Sequence, residues 1–235
     1  MNVDVLLYDG FDELDGIGPY EVFDYAFQYA DGDGDGDGGT PTDATDTPTD
    51  AETIRSDRAG RVRYVALDEA KSVTASHGTR VGVSARLPDP TDESAPDLLV
   101  VPGGGWTDRD ETASAWAEAQ RGVVPDALAA HHAAGTRIAS VCTGSMLLAT
   151  AGVTDGRRAV THASAMDELR ESGAEVVDAR VVDDGDLLTA GGVTSGLDLA
   201  LHVVEQEFGD AVAERVATVI EYDRRYTVAG DDEAE

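Results

Sequence analysis

The chain has 235 residues and one cysteine, which excludes an intrachain disulfide and any cysteine-rich zinc site and allows a core without staples. Lys plus Arg is 17 against 47 Asp plus Glu, a formal net charge of −30, so nucleic acid and anionic lipid are not expected partners. Lys71 is the sole lysine; an acidic, lysine-poor surface of this kind predicts a halophilic source, where molar salt screens the self-repulsion.

In chain order, VDVLLY (3–8) predicts a first buried strand. Pro19 then suits the first turn of a helix carrying Val22, Phe23, Ala26 and Phe27 at helical spacing. The stretch from about 31 to 55, beginning DGDGDGDGG, holds turn formers and acids with nothing to bury, and reads as a disordered surface insertion. Strands are predicted over 61–68, 79–87 and 97–105, the last running into a glycine turn. A helix over about 113–134 is expected to break at Pro125. RIASV (137–141) is a strand, TGSMLLATA a helix, RRAVTH a strand, SAMDELRESG a helix and DLLTAGG a strand. SGLDLALHVVEQEFG is an apolar helix with Ser195 and Asp198 spaced as a capping box, and a last helix covers about 210–222. The tail from 229 to 235 is acidic and expected to fray. Alternating strands and helices predict one α/β domain over 1–228, a mainly parallel sheet covered on both faces, with its ligand site at the carboxyl edge. No basic leader and no run near the ~18 apolar residues of a membrane span is present, so a soluble, cytoplasmic protein is expected.

Cys142 lies where strand RIASV turns into helix TGSMLL. A lone cysteine by itself reads as a small apolar residue. The turn Ser140-Val141-Cys142-Thr143-Gly144, however, has the small-x-nucleophile-x-glycine form of a nucleophile elbow. A helix N-terminus beneath the thiol would lower its pKa. Three further segments converge on the same edge. VVPGGGW (100–106) exposes backbone amides suited to an oxyanion hole, or is an ordinary tight turn. Asp15, placed between the first strand and first helix, would share a proton with the thiol or activate water, or is a surface acid. His162 ends a strand there and reads equally as a base or a hydrogen-bonded core imidazole.

Together LDGIGPYEVF, VVPGGG, SVCTGSMLLATAGVTDGRRAVTH and LLTAGGVTSGLDLALHVVEQEFG closely resemble the DJ-1/PfpI (ThiJ/PfpI) superfamily. The resemblance spans nearly the whole chain outside the insertion and tail. It implies a flavodoxin-like, class I glutamine-amidotransferase-like sandwich and a homodimer. Branches acting as proteases commonly carry His directly after the cysteine; Thr143 stands here, so that dyad is missing. The Cys-Thr-Gly form is similar to the isonitrile hydratase branch, although Ala163 occupies a place where that branch often has Trp. By this resemblance Cys142 is the nucleophile, Asp15 its proton-handling partner and Thr143 a residue that helps hold the site. The amides of Gly103 and Gly104 would stabilise developing negative charge, and His162 would line the site. No cofactor is needed for the implied conversion of an isonitrile to an N-substituted formamide. The alternatives are a non-catalytic redox or ligand sensor, and a glyoxalase or deglycase acting on α-oxoaldehydes with the same thiol.

No metal is expected. From Asp31 the pattern D-x-D-x-D-G matches a calcium loop only through Gly36, and its twelfth position is Thr42 rather than Glu. His131 and His132 are adjacent and point apart, and His77 and His202 show no partners in the sequence.

Overall fold

The computed structural model describes residues 1–30, 60–224 and 228–230. The insertion expected at 31–55, with its calcium-like pattern, and the acidic end of the tail lie outside these residues. The strands are β1 (Asn2–Leu6), β2 (Arg61–Ala66), β3 (Ser72–Thr74), β4 (Arg80–Gly82), β5 (Ala85–Arg86), β6 (Leu98–Val101), β7 (Arg137–Val141), β8 (Arg158–Ala159), β9 (Glu175–Val176), β10 (Val181–Asp183), β11 (Leu187–Ala190) and β12 (Val228–Ala229). The helices are α1 (Glu13–Ala30), α2 (Ala115–Arg121), α3 (Val123–Ala133), α4 (Gly144–Thr150), α5 (Met166–Glu171), α6 (Ser195–Phe208) and α7 (Asp210–Val219).

The main sheet runs β12-β10-β11-β7-β6-β1-β2-β5. Every neighbouring pair in it is parallel except β10 with β11. Its central strands are largely apolar because both faces are covered: Val3, Val5, Leu98, Val100, Ile138 and Leu188 are fully buried, and the buried Asp4 of β1 is paired with Arg63. Helices α1, α6 and α7 pack together on one face, and α2, α3, α4 and α5 on the other. This is the flavodoxin-like α/β sandwich expected from the sequence. Between parallel strands the chain must return to the amino edge, so α1 starts beside the carboxyl edge of β1 and ends near the amino end of β2. Strand order reverses between β1 and β6, which leaves a crevice above their carboxyl ends, where ligands bind in such sheets.

Several local expectations are corrected. Helix α1 begins at Glu13, well before Pro19. Asp15 therefore sits in its first turn rather than ahead of it. Pro19 lies inside the helix and has no N–H to donate to the Asp15 carbonyl. The break after α2 falls at Gly122, which takes φ +78°. Pro125 instead occupies the first turn of α3, where a missing N–H costs nothing. The strand expected over 79–87 is two pieces: β4 pairs antiparallel with β3, and only β5 joins the main sheet. Ser195 and Asp198 form no capping box; α6 has no side-chain cap, and Asp198 pairs with Arg180 and Tyr222. Val228–Ala229 pairs with β10, so the chain keeps sheet structure past the expected start of the tail.

Candidate active site

Cys142 follows β7 at the point where the chain turns into α4. Its φ is +57°, a left-handed value that costs energy for any residue with a Cβ. The elbow is held open to that strain from all sides. Its own N–H donates to the Ala190 carbonyl at 3.0 Å. Its carbonyl accepts the Thr161 hydroxyl at 2.9 Å. Behind it Ser140 and Ser145 hydroxyls share a 2.8 Å hydrogen bond, and Ser145 also donates to the Val160 carbonyl at 2.7 Å. The small residues of the motif permit close approach of two turns. A Cβ on Gly144 would stand 2.2 Å from the Val101 carbonyl oxygen, and one on Gly103 2.4 Å from the Thr143 nitrogen.

The glycine turn after β6 is bound to the elbow and to α1. Gly103 N–H donates to Asp15 Oδ2 at 3.0 Å, and Gly104 N–H to Thr143 Oγ1 at 3.0 Å. Gly103 O accepts Asp12 N–H at 2.9 Å, and Gly104 O accepts Ala115 N–H at 2.7 Å. The two amides expected to form an oxyanion hole are thus engaged within the protein. They hold the acid and the threonine in place.

Asp15 is fully buried, and Cys142 is 6% exposed. Burial first, and the nearby Asp12 carboxylate second, push the Asp15 carboxyl up to about 8, against the downward pull of the Gly103 amide and the Cys142 thiol. Asp15 Oδ1 is buried with no hydrogen bond of ordinary geometry, and the thiol is the side chain that offsets part of the burial there. The thiol itself is pushed well above the usual cysteine range by burial, then by the Asp15 charge, while the Thr143 amide and hydroxyl act in the opposite direction. This corrects the expected lowering: the short helix α4 is outweighed by desolvation and by carboxylates. The Asp15 charge disfavours ionisation of Cys142, so the carboxyl gives up its proton before the thiol does.

His162 is half-buried and caps the 3-10 turn at Ala163–Ala165. Its Nδ1 accepts the Ser164 N–H at 3.2 Å and lies 2.8 Å from the Ser164 hydroxyl. The groups that act on the thiol come from Asp15, Thr143 and Asp12, not from His162. Sequence reasoning also missed Tyr8, a buried phenol that donates to the Pro102 carbonyl at 2.8 Å and feels the Asp15 and Cys142 charges. It was hidden at the end of an apolar strand. A cavity of about 550 Å³ opens beside Tyr8, lined also by Asp9, Leu67, Ser72, Glu118 and Arg121, but neither Cys142 nor Asp15 lines it.

The histidines without evident partners have them. His77 Nδ1 is 2.8 Å from Glu13, and His202 Nε2 is 2.8 Å from Asp183. Among the described residues no three His, Cys, Asp or Glu side chains gather as a metal site.

The DJ-1/PfpI family model matches residues 1–206. The chain belongs to the DJ-1/PfpI family. Within that family it is similar to the isonitrile hydratase of Pseudomonas putida, 36% identical over 155 residues, covering 64% of this chain and 61% of that protein. The alignment thus spans less than two thirds of that relative's length. A deglycase of Thermococcus kodakarensis is 30% identical over 131 residues, covering 56% of this chain and 74% of the relative. Among solved structures, a ThiJ/PfpI family protein from Pseudomonas syringae superposes with a TM-score of 0.72 at 26% identity, covering 95% of this chain and 76% of that one.

Proposed function

We propose that this member of the DJ-1/PfpI family is a cysteine-dependent hydratase or hydrolase of a small molecule, with isonitrile to N-substituted formamide as the reaction that fits best. The observation that carries the reading is a buried carboxyl group, held by the Gly103 amide, beside a strained and nearly buried thiol, with burial pushing that carboxyl up to about 8. An isonitrile carbon needs a nucleophile and a proton at the same atom, and this pair supplies both.

The Cys142 sulfur adds to the terminal carbon, its proton passing to the Asp15 unit while the Asp15 carboxyl proton goes to that carbon. The product is a thioimidate. Asp15 then gives its proton to the imidate nitrogen, and the resulting carboxylate takes a proton from water as the water oxygen adds to the imidate carbon; the tetrahedral adduct collapses by breaking its carbon–sulfur bond, its hydroxyl proton passing to sulfur as the formamide leaves. Thr143 steadies sulfur through its amide and hydroxyl. With the Gly103 and Gly104 amides occupied, charge in the addition step falls on Thr143 and Asp15. His162 serves as a cap at the edge of the site. No cofactor enters this scheme, and a homodimer is expected from the family.

The test is an assay of wild type, Cys142→Ala and Asp15→Asn in about 2–4 M KCl, a range set by charge screening, against an isonitrile and methylglyoxal. Formamide that both substitutions abolish supports the hydratase reading. Lactate from methylglyoxal moves the protein to the glyoxalase or deglycase reading, which the deglycase relative favours. Absence of both products, with a thiol that oxidises readily, sinks the proposal in favour of a sensor. The buried, high-pKa thiol counts against that last outcome, because redox sensors rely on exposed thiolates.

A further inference from the structure

The two tryptophans of the chain, Trp106 and Trp116, meet edge to face with ring centroids 5.1 Å apart. Trp106 is only 5% exposed, yet its indole N–H must find an acceptor. It finds Glu168 Oε2 at 3.2 Å, on α5. The other carboxylate oxygen of Glu168 takes Arg109 at 2.8 Å, and the Arg109 guanidinium lies over Trp116, 4.2 Å from the ring centre. One carboxylate therefore ties the segment after β6 to the segment after β8. Those two segments flank the elbow. The first gives Gly103 and Gly104, whose amides hold Asp15 and Thr143; the second gives Thr161, which holds the Cys142 carbonyl. Trp106 immediately follows the glycine turn, and no side chain in Gly103-Gly104-Gly105 stiffens that turn from within. Its geometry depends on what pins its ends.

We infer that Glu168 is a positioning residue of the Cys142 site: by holding the Trp106 indole it fixes the glycine turn whose amides orient Asp15 and Thr143. The inference rests on the reading of Asp15 and Cys142 as one reactive unit. Glu168 touches neither reacting group; it acts through Trp106 and the turn. If the turn loosens, Asp15 loses the Gly103 N–H, and with it a contact that favours the ionised carboxylate. The groups facing Asp15 then are Asp12, the Cys142 thiol and Tyr8. None of them replaces a backbone donor.

The experiment is the pH profile of iodoacetamide alkylation of Cys142, the only thiol, in about 3 M KCl. It needs no knowledge of the substrate. Wild type, Asp15→Asn, Glu168→Ala, Glu168→Gln and Trp106→Phe are compared, with tryptophan emission recorded for the Glu168 variants as a direct readout of the clasp. Glu168→Ala is expected to red-shift the emission and to move the Asp15-linked midpoint upward by about half a pH unit or more, the direction that follows from losing a hydrogen bond to the carboxylate. Glu168→Gln keeps an acceptor for the indole and is expected to restore the wild-type midpoint. Trp106→Phe deletes the N–H while keeping a ring, and is expected to reproduce the Glu168→Ala shift even if that variant folds poorly. An unchanged midpoint in both Glu168→Ala and Trp106→Phe, with Asp15→Asn altering the profile, overturns the role of Glu168 alone. A profile insensitive to Asp15→Asn overturns the reactive-unit reading and this inference with it.

Discussion

Asp15 is an acid whose neutral form is the one the fold accepts. In an unfolded chain it ionises near the ordinary 3.8, and in the protein near 8. Between those values the folded state holds the extra proton, so stability falls as pH rises through the window, with a limiting slope of about 1.4 kcal/mol per pH unit. Asp15→Asn removes this dependence. Relative to wild type, the Asn variant is expected to gain stability steadily from about pH 4 to pH 8. Thermal unfolding of both proteins at several pH values in molar KCl checks it, and parallel curves would refute it. The sequence placed Asp15 and Cys142 on one edge through two separate motifs. It had no means of showing that the thiol pKa rises, because that depends on how completely both groups are desolvated. Nor did a glycine triplet reveal that its amides were already engaged, since the acceptors, Asp15 and Thr143, come from distant segments.

The contact between the glycine turn and the elbow is made backbone to backbone, and so tolerates no side chain. Gly103→Ala would place a methyl group 2.4 Å from the Thr143 nitrogen and 2.5 Å from its hydroxyl oxygen. Two packed main-chain segments cannot both yield, so a loss of at least about 1–3 kcal/mol is expected, together with loss of Cys142 reactivity. Gly82→Ala is the control: a Cβ there meets nothing within 4 Å, and a change within about 0.5 kcal/mol is expected. Denaturation midpoints for the two variants decide the point; equal midpoints would mean that the close approach does not matter. Elements that bury an apolar run, such as β1, β6, β7 and α6, were legible because their periodicity or length leaves no other reading. The short strands β3, β9 and β10 were not. Each is two or three residues long, and their pairing is decided by neighbours rather than by their own pattern. The start of α1 was obscured for another reason: Gly16, Gly18 and Pro19 oppose helix locally, and burial of Val22, Phe23 and Phe27 against the sheet overrides them.

At the scale of the whole molecule, a net charge of −30 on 235 residues is a repulsion that geometry does not relieve. Raising salt from about 0.15 to 1 M shortens the screening length from about 8 to 3 Å, so Tm is expected to climb throughout that range and beyond. Scans in KCl against sucrose separate charge screening from general solute exclusion; a Tm indifferent to KCl would remove the case for a halophilic protein. The sandwich itself was legible from alternation of strand and helix. Helix α1 leaves the reactive edge at Glu13 and delivers Ala30 to the opposite end of the sheet, where β2 begins at Arg61. Gly60 is packed so tightly there that a Cβ would fall 2.1 Å from the Met1 carbonyl oxygen and 2.5 Å from the Phe27 ring, one turn before Ala30. The two ends of the intervening stretch are therefore neighbours, at the edge of the sheet opposite the thiol. A module fused between Ala30 and Gly60 would enter at this edge of the sheet, and the chemistry at the opposite edge is expected not to register it.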